Sequence, residues 1–232
     1  MKDAKILFVG NSHTYMNDMP QLFREVWEKT TGGRAEVTML AFSGRHLEWH
    51  LNEYFSLRFA LLYGGYDYCV IQQAAHPFPP EEETLRDGRE LIGLCRQAGV
   101  QPVLYLTWAE QRFPENQQKM FDVYGRLAAE TGTVLAPVGK AWQWLLAAHP
   151  EVNLFFRDGE HASPYGDLLI AAVLCRTLLG TDELALPDHV LDFGIQITSE
   201  QRPIACMDRA AIPQPIDKDK AAAILEAVRA LA

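Results

Sequence analysis

The chain of 232 residues has no excess of basic side chains: 21 Lys and Arg stand against 30 Asp and Glu, a formal charge of −9. Without a cationic patch to neutralise phosphates, nucleic acid is not expected as a partner. Long apolar runs are missing too. None reaches the roughly 18 residues of a transmembrane helix, and the run in MKDAKILFVG passes directly into Asn11-Ser12-His13, unlike a signal peptide. The expectation is a soluble, cytoplasmic protein with no membrane partner. Cysteine is scarce and scattered, at positions 69, 95, 175 and 206, with no Cys-x-x-Cys pair. That excludes a disulfide framework or zinc ribbon; Cys69, Cys95 and Cys175 sit in apolar segments and read as small core residues. No phosphate loop or dinucleotide fingerprint occurs, and Gly64-Gly65 precede the third strand-length run, at the opposite end of the sheet from a phosphate loop. No cofactor or metal is therefore expected.

What the chain does have is apolar residues, 48% of the total and enough for one substantial core. Strand-length runs recur at KILFVG (5–10), AEVTMLA (35–41), YDYCVIQQ (66–73), QPVLYLTW (101–108) and TVLAPV (133–138). Four are continuous rather than alternating, as strands covered on both faces require; AEVTMLA alternates more and suits an edge. Helix-length stretches lie between them at about 18–31, 46–62, 81–98 and 114–131, with shorter ones near 139–148 and 164–179. Pro80 and Glu81 to Glu83 mark one helix start, and Gly99 its stop. Alternating strands and helices with short links imply right-handed crossovers. The predicted fold is α/β: a three-layer α/β/α sandwich around a parallel sheet of about five strands, of the flavodoxin-like kind. Residues 1–232 read as a single domain, with a core over about 5–180. The stretch 181–232 is proline-rich and loosely patterned until a closing amphipathic helix in KDKAAAILEAVRALA, and is expected to pack on the core.

Ligands of open α/β sheets bind beyond the carboxyl ends of the strands. Gly10-Asn11-Ser12-His13-Thr14 follows the first strand, so Ser12 belongs on that rim, close to the start of a helix. The polar residues there suit an ordinary turn as well as a nucleophile. A second segment, FFRDGEHASPYGDLLIA (155–171), puts Asp158 and His161 in one short loop, with Ser163-Pro164 capping a helix. An imidazole to take a serine proton and a carboxylate to orient it are what serine hydrolysis needs.

GNSHT after the first strand and DGEHASPYG near the end of the fold resemble blocks I and V of the SGNH (GDSL-type) hydrolases. AFSGRHLEWH after the second strand is similar to the glycine block, and VIQQAAHP after the third strand stands where the third block belongs. The resemblance covers residues 5 to about 180, with all four segments in order. It implies Ser12 as nucleophile, His161 as general base and acid, and Asp158 as the residue orienting His161. The backbone N–H groups of Ser12 and Gly44 would be two oxyanion-hole donors. Gly-Asn-Ser replaces the usual Gly-Asp-Ser. The third block ordinarily carries Gly-x-Asn-Asp, with the Asn amide as third donor; here the chain has Ile71-Gln72-Gln73-Ala74. Gln72 is the favoured donor and Gln73 the alternative.

Asn11, His13, His76 and Trp108 are expected to border a substrate pocket, and Trp49, Phe78, Phe155 and Phe156 fall in or near rim segments. His46 and His50 are four apart, but His-Leu-Glu-Trp-His is not the His-Glu-x-x-His of metalloproteases. The expected activity is ester hydrolysis through an acyl-serine. Short-acyl or carbohydrate O-acetyl esters are the substrate class implied by the resemblance, and acyl transfer on the same site is the alternative. A third reading is a silent small-ligand or carbohydrate-binding domain, suggested by the altered third block.

Overall fold

The computed structural model describes residues 1–192 and 212–231. Five strands form one parallel sheet: β1 (Ala4–Gly10), β2 (Ala35–Ala41), β3 (Tyr68–Ile71), β4 (Gln101–Tyr105) and β5 (Val134–Ala136), in the order β2-β1-β3-β4-β5. In β1, Ile6 and Phe8 enter one core while Leu7 and Val9 enter the other. An alternating pleat with both faces covered requires a continuous apolar run, and β1, β3 and β4 have one.

On one face lie α2 (Met19–Thr31), α7 (Val138–Ala148), α8 (Pro164–Leu179) and α9 (Lys218–Arg229). On the other lie α3 (Leu47–Asn52), α4 (Tyr54–Tyr63), α5 (Glu81–Gln97) and α6 (Asn116–Thr131). The three-layer α/β/α architecture is thus present. Helix α8 is buried on every side, in keeping with its almost unbroken apolar sequence. Ser163 caps it, its Oγ accepting the Gly166 N–H at 3.1 Å, and Gly180 ends it at φ +69°. The closing helix α9 buries Ala223, Ile224, Ala227 and Val228 in the same core as α7 and α8.

Three local expectations change. The chain turns helical at once after β1, in α1 (Ser12–Tyr15), because the Asn11 Oδ1 accepts the His13 N–H at 3.0 Å and caps it. Left-handed Asn17 and Asp18 (φ 47° and 54°) then break the path before α2 begins. The helix expected over 46–62 is split at Glu53 into α3, anchored at the rim by His50, and α4, whose Leu57 and Leu61 join the core on that face of the sheet. A short antiparallel ribbon, β6 (His189–Asp192) with β7 (Ile212–Pro215), was not legible in the loose pattern after residue 180. Cys69, Cys95 and Cys175 are buried and free. Cys206 and the rest of 193–211 lie outside the described residues.

Candidate active site

The segments that follow β1, β2, β3 and β4 meet at the carboxyl rim of the sheet, where the loop before α8 joins them. Gly10 is needed at the top of β1, since a Cβ would lie 2.4 Å from Thr14 Oγ1 and 2.5 Å from Gln72 Oε1. Those atoms brace the turn. Gln72 Oε1 accepts the Asn11 N–H at 2.8 Å and the Thr14 hydroxyl at 2.9 Å. Asn11 Nδ2 donates to the Arg45 carbonyl at 3.1 Å, tying the turn to the Gly44 segment. As the first residue of α1, Ser12 has an N–H with no intrahelical acceptor.

The opposing loop is shaped by Asp158-Gly159. Asp158 Oδ1 accepts the N–H groups of Glu160 (2.9 Å) and His161 (3.0 Å), while Gly159 takes φ +75°. Gln111 N–H donates to the Gly159 carbonyl at 2.8 Å, and the Trp108 indole to the Glu160 carbonyl at 2.9 Å. Asn17 Nδ2 reaches the Ala162 carbonyl at 3.2 Å.

These constraints bring Ser12 onto the Asp158–His161 loop, which is far from it in sequence. His161 Nδ1 lies 2.8 Å from Asp158 Oδ2, and His161 Nε2 lies 2.7 Å from Ser12 Oγ. An ionised carboxylate only accepts, so Nδ1 carries the proton and Nε2 offers a lone pair to the Ser12 hydroxyl. Partial burial pushes the Asp158 carboxyl up. The Glu160 N–H, the His161 ring and the His161 N–H outweigh that and hold it below its ordinary value.

A second layer of imidazoles supports the first. The His13 ring stacks on His161 at 4.7 Å and 22°, and His76 and Trp108 lie 4.8 and 5.5 Å from His13. Burial lowers the His13 pKa well below the ordinary value, and the nearby His76 and His161 lower it further. His76 is lowered to about 4, chiefly by burial. Both therefore remain neutral near pH 7. Trp108 was expected to present a face to the pocket. It is fully buried instead, stacked on Trp142 at 4.0 Å, and supports His13 from below. Asn11 is likewise buried and bonded internally, so it shapes the turn rather than lining a pocket.

The two glutamines divide sharply. The Gln72 amide is engaged at both ends, its Oε1 accepting twice and its Nε2 donating to the Gln73 carbonyl. Gln73 Oε1 accepts from the Leu47 and Ala74 N–H groups at 3.0 and 2.9 Å, which fixes the orientation of its amide. That leaves Gln73 Nε2 buried without an acceptor among the described residues. Gly44 adopts φ +68° with open space where a Cβ would stand. His50 Nε2 bonds the Gly10 carbonyl at 2.8 Å, so this ring secures α3 to β1. Among the described residues no group of three potential metal ligands occurs.

Sequence reading missed one buried strut. Asp167, wholly buried in α8, accepts from Asn17 Nδ2 at 2.6 Å, and Tyr105 donates to the His13 carbonyl at 3.2 Å beside it. Burial raises the Asp167 pKa well above the usual carboxylate value. The available signal was a lone acid in an otherwise apolar helix, GDLLIAAVLC.

No protein-family model matches the chain, and no curated protein matches it. Solved structures do. A protein from Slackia heliotrinireducens, provisionally assigned as an SGNH hydrolase, is 30% identical over 76% of this chain and 100% of its own, with a TM-score of 0.67. A DUF4886 family protein from Bacteroides uniformis is 19% identical over 99% of this chain and 94% of its own, at TM-score 0.71. A catalytic mutant of an acetylxylan esterase from Geobacillus stearothermophilus shares the fold at 15% identity and TM-score 0.58, over 76% of this chain and 93% of its own. With the ordered rim segments and the parallel five-stranded sheet, the first of these likenesses places the chain in the SGNH (GDSL-type) hydrolase superfamily.

Proposed function

We propose that the protein is a serine-dependent carboxylic ester hydrolase acting through an acyl-serine, with short-acyl esters, including O-acetyl groups on carbohydrates, as its substrate class. The observation that carries this reading is the continuous Ser12–His161–Asp158 hydrogen-bond chain, at 2.7 and 2.8 Å. Ser12 Oγ attacks the ester carbonyl as His161 Nε2 takes its proton, and Asp158 stabilises the imidazolium. His161 then protonates the leaving alcohol, and water repeats the cycle on the acyl-enzyme. The neutral His13 ring keeps a second positive charge away from the imidazolium stacked against it.

For the oxyanion, the backbone N–H groups of Ser12 and Gly44 remain the proposed donors. Gln73 supplies the third in place of the favoured Gln72, because its Nε2 is the uncommitted donor. A buried donor left without a partner costs about 1–3 kcal/mol in the folded state. A developing oxyanion would recover this cost in the transition state. The esterase neighbour supports the carbohydrate-ester reading only as an analogy of fold.

The test is hydrolysis of p-nitrophenyl acetate and butyrate by wild type, Ser12→Ala and His161→Ala, followed by release of acetate from an acetylated xylan. Turnover abolished by either substitution supports the acyl-serine route. An inactive wild type, or variants that match it, refutes it. Activity confined to long-chain esters would remove the carbohydrate part while leaving the hydrolase.

A further inference from the structure

Helix α6 carries two polar side chains in its buried stripe, Gln117 and Tyr124, among Met120, Val123 and Leu127. Seven residues apart, the two share one face of the helix. Each reaches the main chain where a strand of the sheet ends. Gln117 serves the exit of β4: its Oε1 accepts the Ala109 N–H at 2.8 Å and its Nε2 donates to the Thr107 carbonyl at 3.2 Å. Tyr124 serves the exit of β3. There the Gln72 N–H still meets the Val9 carbonyl of β1 at 2.9 Å, but the next N–H, of Gln73, meets the Tyr124 hydroxyl at 3.2 Å instead.

That bond completes the bracing of one residue. Leu47 and Ala74 hold the Gln73 amide oxygen, and Gln72 Nε2 holds the Gln73 carbonyl. The main-chain N–H is the group left over, and Tyr124 takes it. The Tyr124 ring is fully buried and faces Phe78 at 6.1 Å and 27°. A phenylalanine would fill that space equally well, and a buried hydroxyl costs free energy unless it is bonded. The hydroxyl therefore has a use other than packing. Burial raises the phenol pKa, so the oxygen stays neutral near pH 7.

We propose that Tyr124 is a positioning residue for the reaction: by holding the Gln73 main chain, it sets where Gln73 Nε2 meets the oxyanion. The inference rests on the ester-hydrolase reading above and on Gln73 as its third donor. Tyr124 acts through Gln73 and not on the substrate. A misplacement of about 1 Å at a catalytic group can cost on the order of a hundredfold in rate. Gln73 keeps its other bonds when the Tyr124 hydroxyl is lost, so a smaller shift and about a tenfold loss are expected.

The test is a double-substitution cycle on p-nitrophenyl acetate hydrolysis, with Tyr124→Phe, Gln73→Glu and the two combined. Tyr124→Phe keeps the ring and should lower kcat about tenfold with KM within about twofold. In the Gln73→Glu background the same change should cost less than about twofold, because the donor it positions is gone. Leu127→Val controls for stability. It lies in the same helix, against Gly88 of α5, and should lower Tm while leaving kcat unchanged. Wild-type kcat in Tyr124→Phe overturns the proposal. So does an equal loss in both backgrounds, or a loss that Leu127→Val reproduces, since each marks a merely structural role. Should the combined variant fail to fold, Tyr124→Phe against Leu127→Val decides alone. A Gln73→Glu enzyme as active as wild type removes the third donor and this proposal with it, leaving the Ser12–His161–Asp158 reading intact; an inactive wild type removes both.

Discussion

The Ser12 turn and the Asp158–His161 loop face each other across 2.7 Å, but they are built differently. The turn of residues 10–18 is held mainly by buried side chains. Asn11, Thr14 and Asn17 are almost wholly inaccessible, and Gln72 reaches in from β3 to accept from the first two of these residues. The loop of residues 155–163 adds backbone bridges, such as Phe156 N–H to the His161 carbonyl at 2.8 Å, to the side-chain bonds of Asp158, Trp108 and Asn17, and its Asp158 stays open to solvent. The difference suits the proposed reaction. A serine hydroxyl attacks along one direction, so its backbone must not move. The imidazole has to exchange protons with alcohol and water, and it gains from a partly open loop whose carboxylate remains charged.

The largest expected effect breaks the link between the two. Ser12→Ala or His161→Ala should lower kcat by about 10⁴–10⁶-fold, and the double variant should be scarcely worse, because the residues act as a unit. Single-turnover assays check the non-additivity; additive losses would mean that the two loops do not cooperate.

The next pair of substitutions separates catalysis from scaffolding. Gln73→Glu keeps the oxygen that Leu47 and Ala74 use but removes the free donor, and is expected to reduce kcat about 10²–10³-fold with little change in KM. Gln72→Glu turns its donor toward the Gln73 carbonyl into an acceptor. It should act first on stability, by about 1–3 kcal/mol in urea unfolding. Equal kcat losses with equal destabilisation would erase the division between the glutamines.

Two smaller effects concern pH, with opposite signs. His76, lowered to about 4, is neutral in the folded protein where the unfolded chain is protonated. The unfolded state therefore binds more protons between about pH 6.5 and 4, so stability falls as pH drops through that window. His76→Phe should lose less stability than wild type between pH 7 and 4.5, as read by Tm. Asp167 is raised, so in the window above the ordinary carboxylate value the folded state holds the extra proton. Stability then falls as pH rises. Asp167→Asn should gain on wild type from pH 4 to pH 7, the reverse trend.

Much of this molecule follows from local pattern. Continuous apolar runs such as KILFVG identified strands with two covered faces, and Ser163-Pro164 marked the start of α8. Ser12 stood out in a polar turn at the rim where an open α/β sheet binds its ligand, and Asp158 and His161 as a carboxylate–imidazole pair in one short loop, with their roles implied by the family resemblance. Such features depend on residues near one another in the chain, so the sequence alone determined them. The tertiary structure decided the rest. Gln72 and Gln73 are adjacent and chemically identical, and only the Asn11, Thr14, Leu47 and Ala74 groups around them leave one engaged and the other with a free donor. His13 against His161, Trp108 beneath it and Asn17 on Asp167 join residues far apart in the chain. Helices α4 and α8 are similarly apolar, yet one is exposed and the other engulfed. Burial and hydrogen-bond competition depend on what the fold places nearby, and no local pattern contains that information.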